Sequence, residues 1–258
     1  MSEPGAAVTS AIEAAGGEAI CAYLTAGYPD PDSFPSVLAA VASASDVVEV
    51  GIPFTDPMAD GQTIQQASHT ALEHGVNLDF VFDVIEDSDL AAPHVFMGYY
   101  NPFLAYGLDR LVARMAAVGT SGLIVPDLPL EESAELVAML EDAGLGLVQL
   151  VAPTTPTDRL RQLATASRGF VYAVTVKGTT GGAVTFDDEV FAYLDRVGEV
   201  ATLPVLAGFG VRERSQVEAL RSHVDGVVVG SALIDAIDRG DDPAAFLRGL
   251  RSPLEVGK

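Results

Sequence analysis

The sequence predicts a single α/β domain folded as a (βα)8 barrel, and three observations predict it. Eight short Val/Ile/Leu-rich runs recur across 258 residues, at roughly 25–30-residue intervals. Stretches of helical length with one polar face separate them. Glycines and polar residues crowd just after the runs, on the rim where barrels of this kind build their sites.

The elements follow in order. A helix is expected over residues 6–15, ahead of a first strand at 19–24. A helix at 31–42 leads to strand 47–51. Helix 62–74 and an added helix at 78–85 precede strand 94–98. Helix 108–117 leads to strand 122–125, and helix 131–143 to strand 146–151. Helix 156–165 precedes strand 169–174, and helix 188–197 precedes strand 204–207. Helix 213–222 then reaches the last strand at 226–229, with Gly230-Ser231 opening another helix. The strands are apolar on both faces, as parallel strands covered on both sides are. A doubly wound open sheet competes, but no strand is followed by G-x-G-x-x-G or a Walker motif. A TIM barrel of one domain, residues 1–258, fits the length, and no linker or composition break divides the chain.

Charge excludes whole classes of function. There are 36 acidic and 14 basic residues, a formal net charge of −22. Nucleic-acid or anionic-membrane surfaces need clustered Lys/Arg, which this balance opposes. With 49% hydrophobic residues and a mean hydropathy of +0.31, the chain is not acidic in the disordered manner. An apolar interior under an acidic skin fits a halophilic, saline cytoplasm. The lone Cys21 excludes an internal disulfide and reads as a buried thiol. His69, His74, His94 and His223 are scattered without ligand spacing, so no metal site is expected. No signal peptide or 18-residue apolar run is found, so a soluble cytoplasmic protein is expected.

Chemistry gathers at the strand ends. Glu49 lies inside an apolar strand, where an ionised carboxylate is costly without a partner. It is either a structural residue facing a polar interface or a salt bridge, or a carboxyl with a raised pKa able to give and take a proton. Asp60, just before a helix, is either its N-cap or the second member of an acid–base pair. Asp56 between two prolines can form a turn. Gly178–Gly182, Gly208-Phe209-Gly210 and Gly230-Ser231 are each tight turns alone; together, at the correct strand ends, they favour a backbone phosphate site.

The stretch Glu49-Val-Gly-Ile-Pro-Phe-Thr-Asp-Pro-Met-Ala-Asp-Gly closely resembles the motif of the tryptophan synthase α subunit family. Tyr23-Leu-Thr-Ala-Gly-Tyr-Pro-Asp, Met97-Gly-Tyr-Tyr-Asn-Pro, Asp127-Leu-Pro-Leu-Glu-Glu, Gly208-Phe-Gly-Val and Gly230-Ser-Ala support it in family order. The resemblance implies a lyase that cleaves indole-3-glycerol phosphate to indole and glyceraldehyde 3-phosphate by retro-aldol chemistry. Glu49 would be the acid–base group, Asp60 would stabilise charge at the indole N–H, and Tyr172 would line the cleaved bond; alone, Tyr172 reads equally as a core aromatic. The indole pocket would comprise Tyr23, Met97, Ile124, Val151, Thr180, Phe209 and Val228. Gly181, Gly210, Gly230 and Ser231 would hold phosphate, with Pro53, Asp56 and Asn101 serving loop closure or partner contact.

Further implications concern partners. The family works as an αββα heterotetramer, and indole passes to a β subunit that carries the pyridoxal phosphate. No cofactor is implied for this chain, in which no lysine occupies a Schiff-base position. Apolar residues in 53–58 and 99–103 are expected on a partner-facing rim. Where many members have Ser-Arg, this chain has Thr175-Val176, with Lys177 one position further on. Tyr23 replaces a phenylalanine common in bacterial members. Another phosphate-binding barrel enzyme and a non-catalytic allosteric subunit are the rival functions. The Glu49–Gly61 block, the intact Glu49, Asp60 and Tyr172, and the absence of a placed catalytic lysine oppose them.

The charge generates a prediction. Debye screening is largely complete once the screening length reaches about 3 Å, near 1 M salt. A chain built for a saline cytoplasm should keep gaining thermal stability between about 1 and 3 M KCl. Midpoints that stay flat or fall above about 1 M would reduce the acidity to a solubility feature.

Overall fold

The computed structural model describes residues 3–175, 186–208 and 210–251. The chain opens with α1 (Ala6–Ala14), β1 (Ala19–Thr25), α2 (Phe34–Ala42) and β2 (Val47–Gly51). Next come α3 (Gln62–Glu73), α4 (Leu78–Glu86), β3 (His94–Met97), α5 (Tyr100–Tyr106) and α6 (Leu108–Ala117). The middle holds β4 (Gly122–Ile124), a 3-10 turn at Leu130–Glu132, α7 (Ala134–Asp142), β5 (Gly146–Val151) and α8 (Thr157–Ala166). β6 (Val171–Val174), α9 (Asp188–Gly198), β7 (Val205–Gly208) and α10 (Arg214–Leu220) follow. The described fold ends with β8 (Gly226–Val229), α11 (Ser231–Asp238) and α12 (Pro243–Leu250). The eight strands pair in parallel, in chain order, and β8 pairs back on β1 to close the barrel.

Closure splits every strand between two cores, because successive side chains point to opposite faces. Ile20, Ala22 and Leu24 of β1 pack outward under the helices with Phe34, Leu38 and Phe82. Ala19, Cys21 and Tyr23 point into the barrel with Val47, Val95 and Leu206. Burial on both faces is why the strands read as continuous apolar runs. At the N-terminal end, α1 closes the barrel. Its Val8 and Ile12 are fully buried in the inner cluster beside Phe170, and Thr9 Oγ1 donates to Gly169 O at 2.7 Å.

Local chemistry explains most shifted boundaries. α2 begins at Phe34 rather than 31, because the Asp30 carboxylate accepts from both the amide and hydroxyl of Ser33 and forms a turn first. β7 begins at Val205, since Pro204 has no N–H for the ladder; its carbonyl still accepts from Val171 N at 2.8 Å. The helix expected at 131–143 is broken into the 3-10 turn and α7. α4, α9 and α12 start where Asn77, Asp187 and Asp242 accept from backbone amides. Two helices went unread in the sequence, α5 and α12. Among the described residues, no helix is long and apolar enough to cross a membrane.

The seam between β8 and β1 leaves no room for a side chain at Gly226. A Cβ there would lie 2.4 Å from Ala19 O and 2.6 Å from Ala19 Cβ. Gly226→Ala should destabilise the fold by about 1–3 kcal/mol, the usual cost of overpacking. For a chain of this size that corresponds to roughly 2–4 °C in Tm per kcal/mol. A thermal midpoint within about 1 °C of the parent protein would show that the seam relaxes freely.

Candidate active site

β2 places Glu49 on the inner face, level with Tyr23 of β1 and Val95 of β3. The side chain is 0% exposed. Cys21 Sγ donates weakly to Glu49 Oε2 at 3.9 Å, and Oε1 has no hydrogen-bond partner among the described residues. Among the described residues no ion pair forms with Glu49, which gives the salt-bridge reading no support there. Burial pushes its carboxyl up to about 8, the charge of Asp60 pushes the same way, and the Cys21 thiol opposes both. The Cys21 thiol is buried and held well above its ordinary range, chiefly by desolvation and then by Glu49.

Asp60 closes the loop after β2 and is 5% exposed. It is not an N-cap. Gly61 occupies that position of α3 without a side-chain cap, which leaves the Asp60 carboxylate to the interior. Tyr99 donates its hydroxyl to Asp60 Oδ2 at 3.1 Å and accepts from Ala59 N at 2.9 Å. Burial raises Asp60 to about 6, and the Tyr99 hydrogen bond holds it lower than burial alone would.

Tyr172 of β6 is buried in the same interior, and its ring lies against Gly208. A Cβ on Gly208 would be 2.1 Å from Tyr172 Cε1. Its phenol is pushed well above the ordinary value by desolvation, then by the charges of Glu49 and its neighbours. Tyr23 OH and Thr25 Oγ1 form a hydrogen bond at 3.4 Å in which either hydroxyl can donate. Glycine is required at Gly51 for this ring to fit, because a Cβ there would lie 2.2 Å from Tyr23 OH.

Met97, Ile124 and Val228 line the interior with these tyrosines. Val151 does not, and that expectation is corrected. Its side chain packs in the outer cluster. Leu150, level with Tyr172, is the β5 residue against the inner one. Gly210 has a left-handed φ of 88°. Gly230 and Ser231 open α11, whose first amides have no intrahelical acceptors. Thr180, Gly181 and Phe209, together with Val176 and Lys177, lie outside the described residues.

The rim differs from expectation. Pro53, Tyr99 and Phe103 are buried, while Asp56 and Asn101 are exposed. Among the described residues, the exposed large apolar ones are Met58, at 75%, and Leu104. The Asp56 carboxylate accepts from Thr55 Oγ1 at 2.6 Å. Of the histidines, His94 is a core residue bonded to Thr120 at 3.1 Å, and burial lowers it to about 4. Sequence reasoning missed Tyr99 as a partner of Asp60. The signal was available: Tyr99 is two residues beyond Met97 and keeps its inward parity.

Two buried carboxyls of different acidity inside an apolar barrel have the make-up of an acid–base barrel enzyme. The tryptophan synthase alpha chain family profile matches residues 9–251. A tryptophan synthase alpha chain from Nitratidesulfovibrio vulgaris (strain DP4) is 43% identical over 92% of this chain and 93% of its own. That of Roseiflexus castenholzii is 44% identical over 93% and 96%. Mycobacterium tuberculosis tryptophan synthase superposes with a TM-score of 0.88 at 35% identity, covering 97% of both chains. The chain belongs to the tryptophan synthase alpha chain family.

Glu49 ionises near 4.5 in an unfolded chain and near 8 in the fold, so the folded protein holds the proton more tightly. Its contribution to stability is full below about pH 4.5 and is lost as pH rises through about 8. Each pH unit in that window is worth up to about 1.4 kcal/mol. Glu49→Gln should therefore match the parent protein within ~1 kcal/mol near pH 4.5 and exceed it by at least ~2 kcal/mol near pH 9. Urea midpoints at the two pH values measure this, and equal stabilities at the higher pH would contradict a desolvated carboxyl.

Proposed function

We propose that this chain cleaves indole-3-glycerol phosphate to indole and glyceraldehyde 3-phosphate, with Glu49 as the proton-transfer group. The observation that carries the reading is Glu49 itself: fully buried, protonated at neutral pH, with an oxygen that has no hydrogen-bond partner among the described residues. Its proton goes to indole C3, giving the indolenine tautomer. The resulting carboxylate takes the proton of the C3′ hydroxyl. The bond between C3 and C3′ then breaks, its electrons restore the indole ring, and the C3′ oxygen becomes the aldehyde of the product. Glu49 ends as it began.

Asp60 at about 6 is ionised when Glu49 is not. It accepts the indole N–H and offsets the positive charge that develops there, a division of labour set by environment. Tyr172 packs beside the breaking bond. The indole ring lies among Tyr23, Met97, Ile124 and Val228, with Thr180 and Phe209 completing the pocket. Gly181, Gly210, Gly230 and Ser231 hold the phosphate through backbone N–H groups and the N-terminus of α11. Local dipoles are needed because a chain at −22 repels anions at long range.

The chain acts with a β subunit in an αββα assembly, and the pyridoxal phosphate resides in that partner. A solved relative from Pyrococcus furiosus, described as an a2b2 complex, superposes with a TM-score of 0.82 at 36% identity over 91% of this chain. Exposed Met58 and Leu104, with Asp56 and Asn101 nearby in sequence, supply a partner-facing rim. The acidity supports work in a saline cytoplasm, and the closed barrel supports one domain over residues 1–258.

Indole release from indole-3-glycerol phosphate, with and without a β subunit, tests the reading directly. Glu49→Gln should lose at least ~10²-fold in kcat, as loss of a proton-transfer group does, while substrate affinity stays within about tenfold, or ~1.4 kcal/mol. Asp60→Asn should be severe but less absolute, since its amide oxygen still accepts the indole N–H. Residual Glu49→Gln activity above about 5% of the parent rate would remove Glu49 from the mechanism.

A further inference from the structure

We propose that Asp235, outside the pocket, is a positioning residue that sets the phosphate subsite. The inference rests on the phosphate-binding reading of Gly210, Gly230 and Ser231. Asp235 lies one turn into α11, on the same face as Ser231. Its two carboxylate oxygens serve two different loops. Oδ1 accepts from Thr63 Oγ1 at 3.3 Å, and Thr63 is in the first turn of α3, three residues after Asp60. Oδ2 accepts from the guanidinium of Arg212, two residues after Gly210.

The geometry continues on both sides. The backbone N–H of Arg212 donates to Gln216 Oε1 at 2.7 Å, so the segment bearing Gly210 is held at its side chain and its backbone. One turn further along α11, Asp238 Oδ1 accepts from the hydroxyl of Tyr28, in the loop after β1. A single face of α11 therefore ties the loops after β1, β2 and β7 to the helix whose N-terminus meets the anion. The Asp235 side chain is 27% exposed, so its effect comes from fixing geometry more than from ion-pair strength. A phosphate bound only by backbone N–H groups has no flexible side chain to compensate when those loops drift.

The test uses the α chain with its β subunit. The indole arm uses the α chain by itself, which contains no tryptophan, so indole fluorescence reports binding of the phosphate-free product without a tryptophan background or a second indole site. In Asp235→Ala, KM for indole-3-glycerol phosphate and the inhibition constant of glyceraldehyde 3-phosphate should each rise about tenfold. kcat should stay within about threefold, and the Kd of indole should not change. Arg212→Ala should move the same constants in the same direction, and the double variant should be no worse than Asp235→Ala alone. If Asp235→Ala fails to fold, Arg212→Ala and Thr63→Val carry the test, each expected to raise KM about threefold. Unchanged KM in the folded variants, or indole affinity falling in step with KM, overturns the proposal. A parent complex that releases no indole from indole-3-glycerol phosphate would instead overturn the functional reading on which it rests.

Discussion

Holding a carboxyl in an apolar barrel with one oxygen unpartnered constrains everything around it. Water reaching Glu49 would restore its ordinary acidity, so the interior must be dry and closed from below. α1 provides that closure, with Val8 and Ile12 seated against the starts of the strands. An arginine or lysine facing Glu49 would pull its proton off; none pairs with it among the described residues. The neighbour it does have, the Cys21 thiol, is a weak donor, which limits how far the ionised form is stabilised. The alternation of each strand keeps this environment apart from the outer core, so helices can pack tightly without intruding on it.

The same economy governs anions. Several arginines are already committed to carboxylates on the surface, among them Arg110 to Asp79, Arg159 to Glu131 and Arg221 to Glu18. Such exposed pairs contribute little stability each. In the proposed phosphate site, that leaves the described rim glycines and Ser231 to meet the anion with backbone amides. Backbone donors demand accurate placement, which places weight on the faces of α11 and on the glycines that admit Tyr23 and Tyr172 so closely.

Much of this was legible in the sequence. Mostly apolar runs located β2, β5 and β8 to the residue, because double-sided burial leaves few polar interruptions inside such strands, Glu49 in β2 and Gln149 in β5 being the exceptions. Glu49 stood out for the same reason, as the lone carboxylate in such a run. What escaped depended on tertiary contacts. Asp60 before a helix carries the local signature of a cap, and only the spatial approach of Tyr99 shows its carboxylate turned inward. Val151 and Leu150 are both apolar, so the register against Tyr172 was needed to decide which faces inward. Tyr99 and Phe103 resembled an exposed rim because their burial comes from α5, a short helix whose Pro102 disguises it.

Acid and base function here are separated by depth. Glu49 and Asp60 are both carboxyls on one segment of chain, yet burial lifts one to about 8 and the other only to about 6. Both feel desolvation; Glu49 also feels the charge of Asp60 and has only a thiol as donor, while Asp60, nearer the mouth, receives a hydroxyl from Tyr99. Between those two values lies neutral pH, where the inner group keeps its proton and the outer one keeps its charge. A reaction that needs one proton delivered and one positive charge stabilised at the same moment needs that order, not the reverse. The barrel sets it through its position along the strand axis, since residues nearer the C-terminal ends meet loops and donors that deeper residues do not.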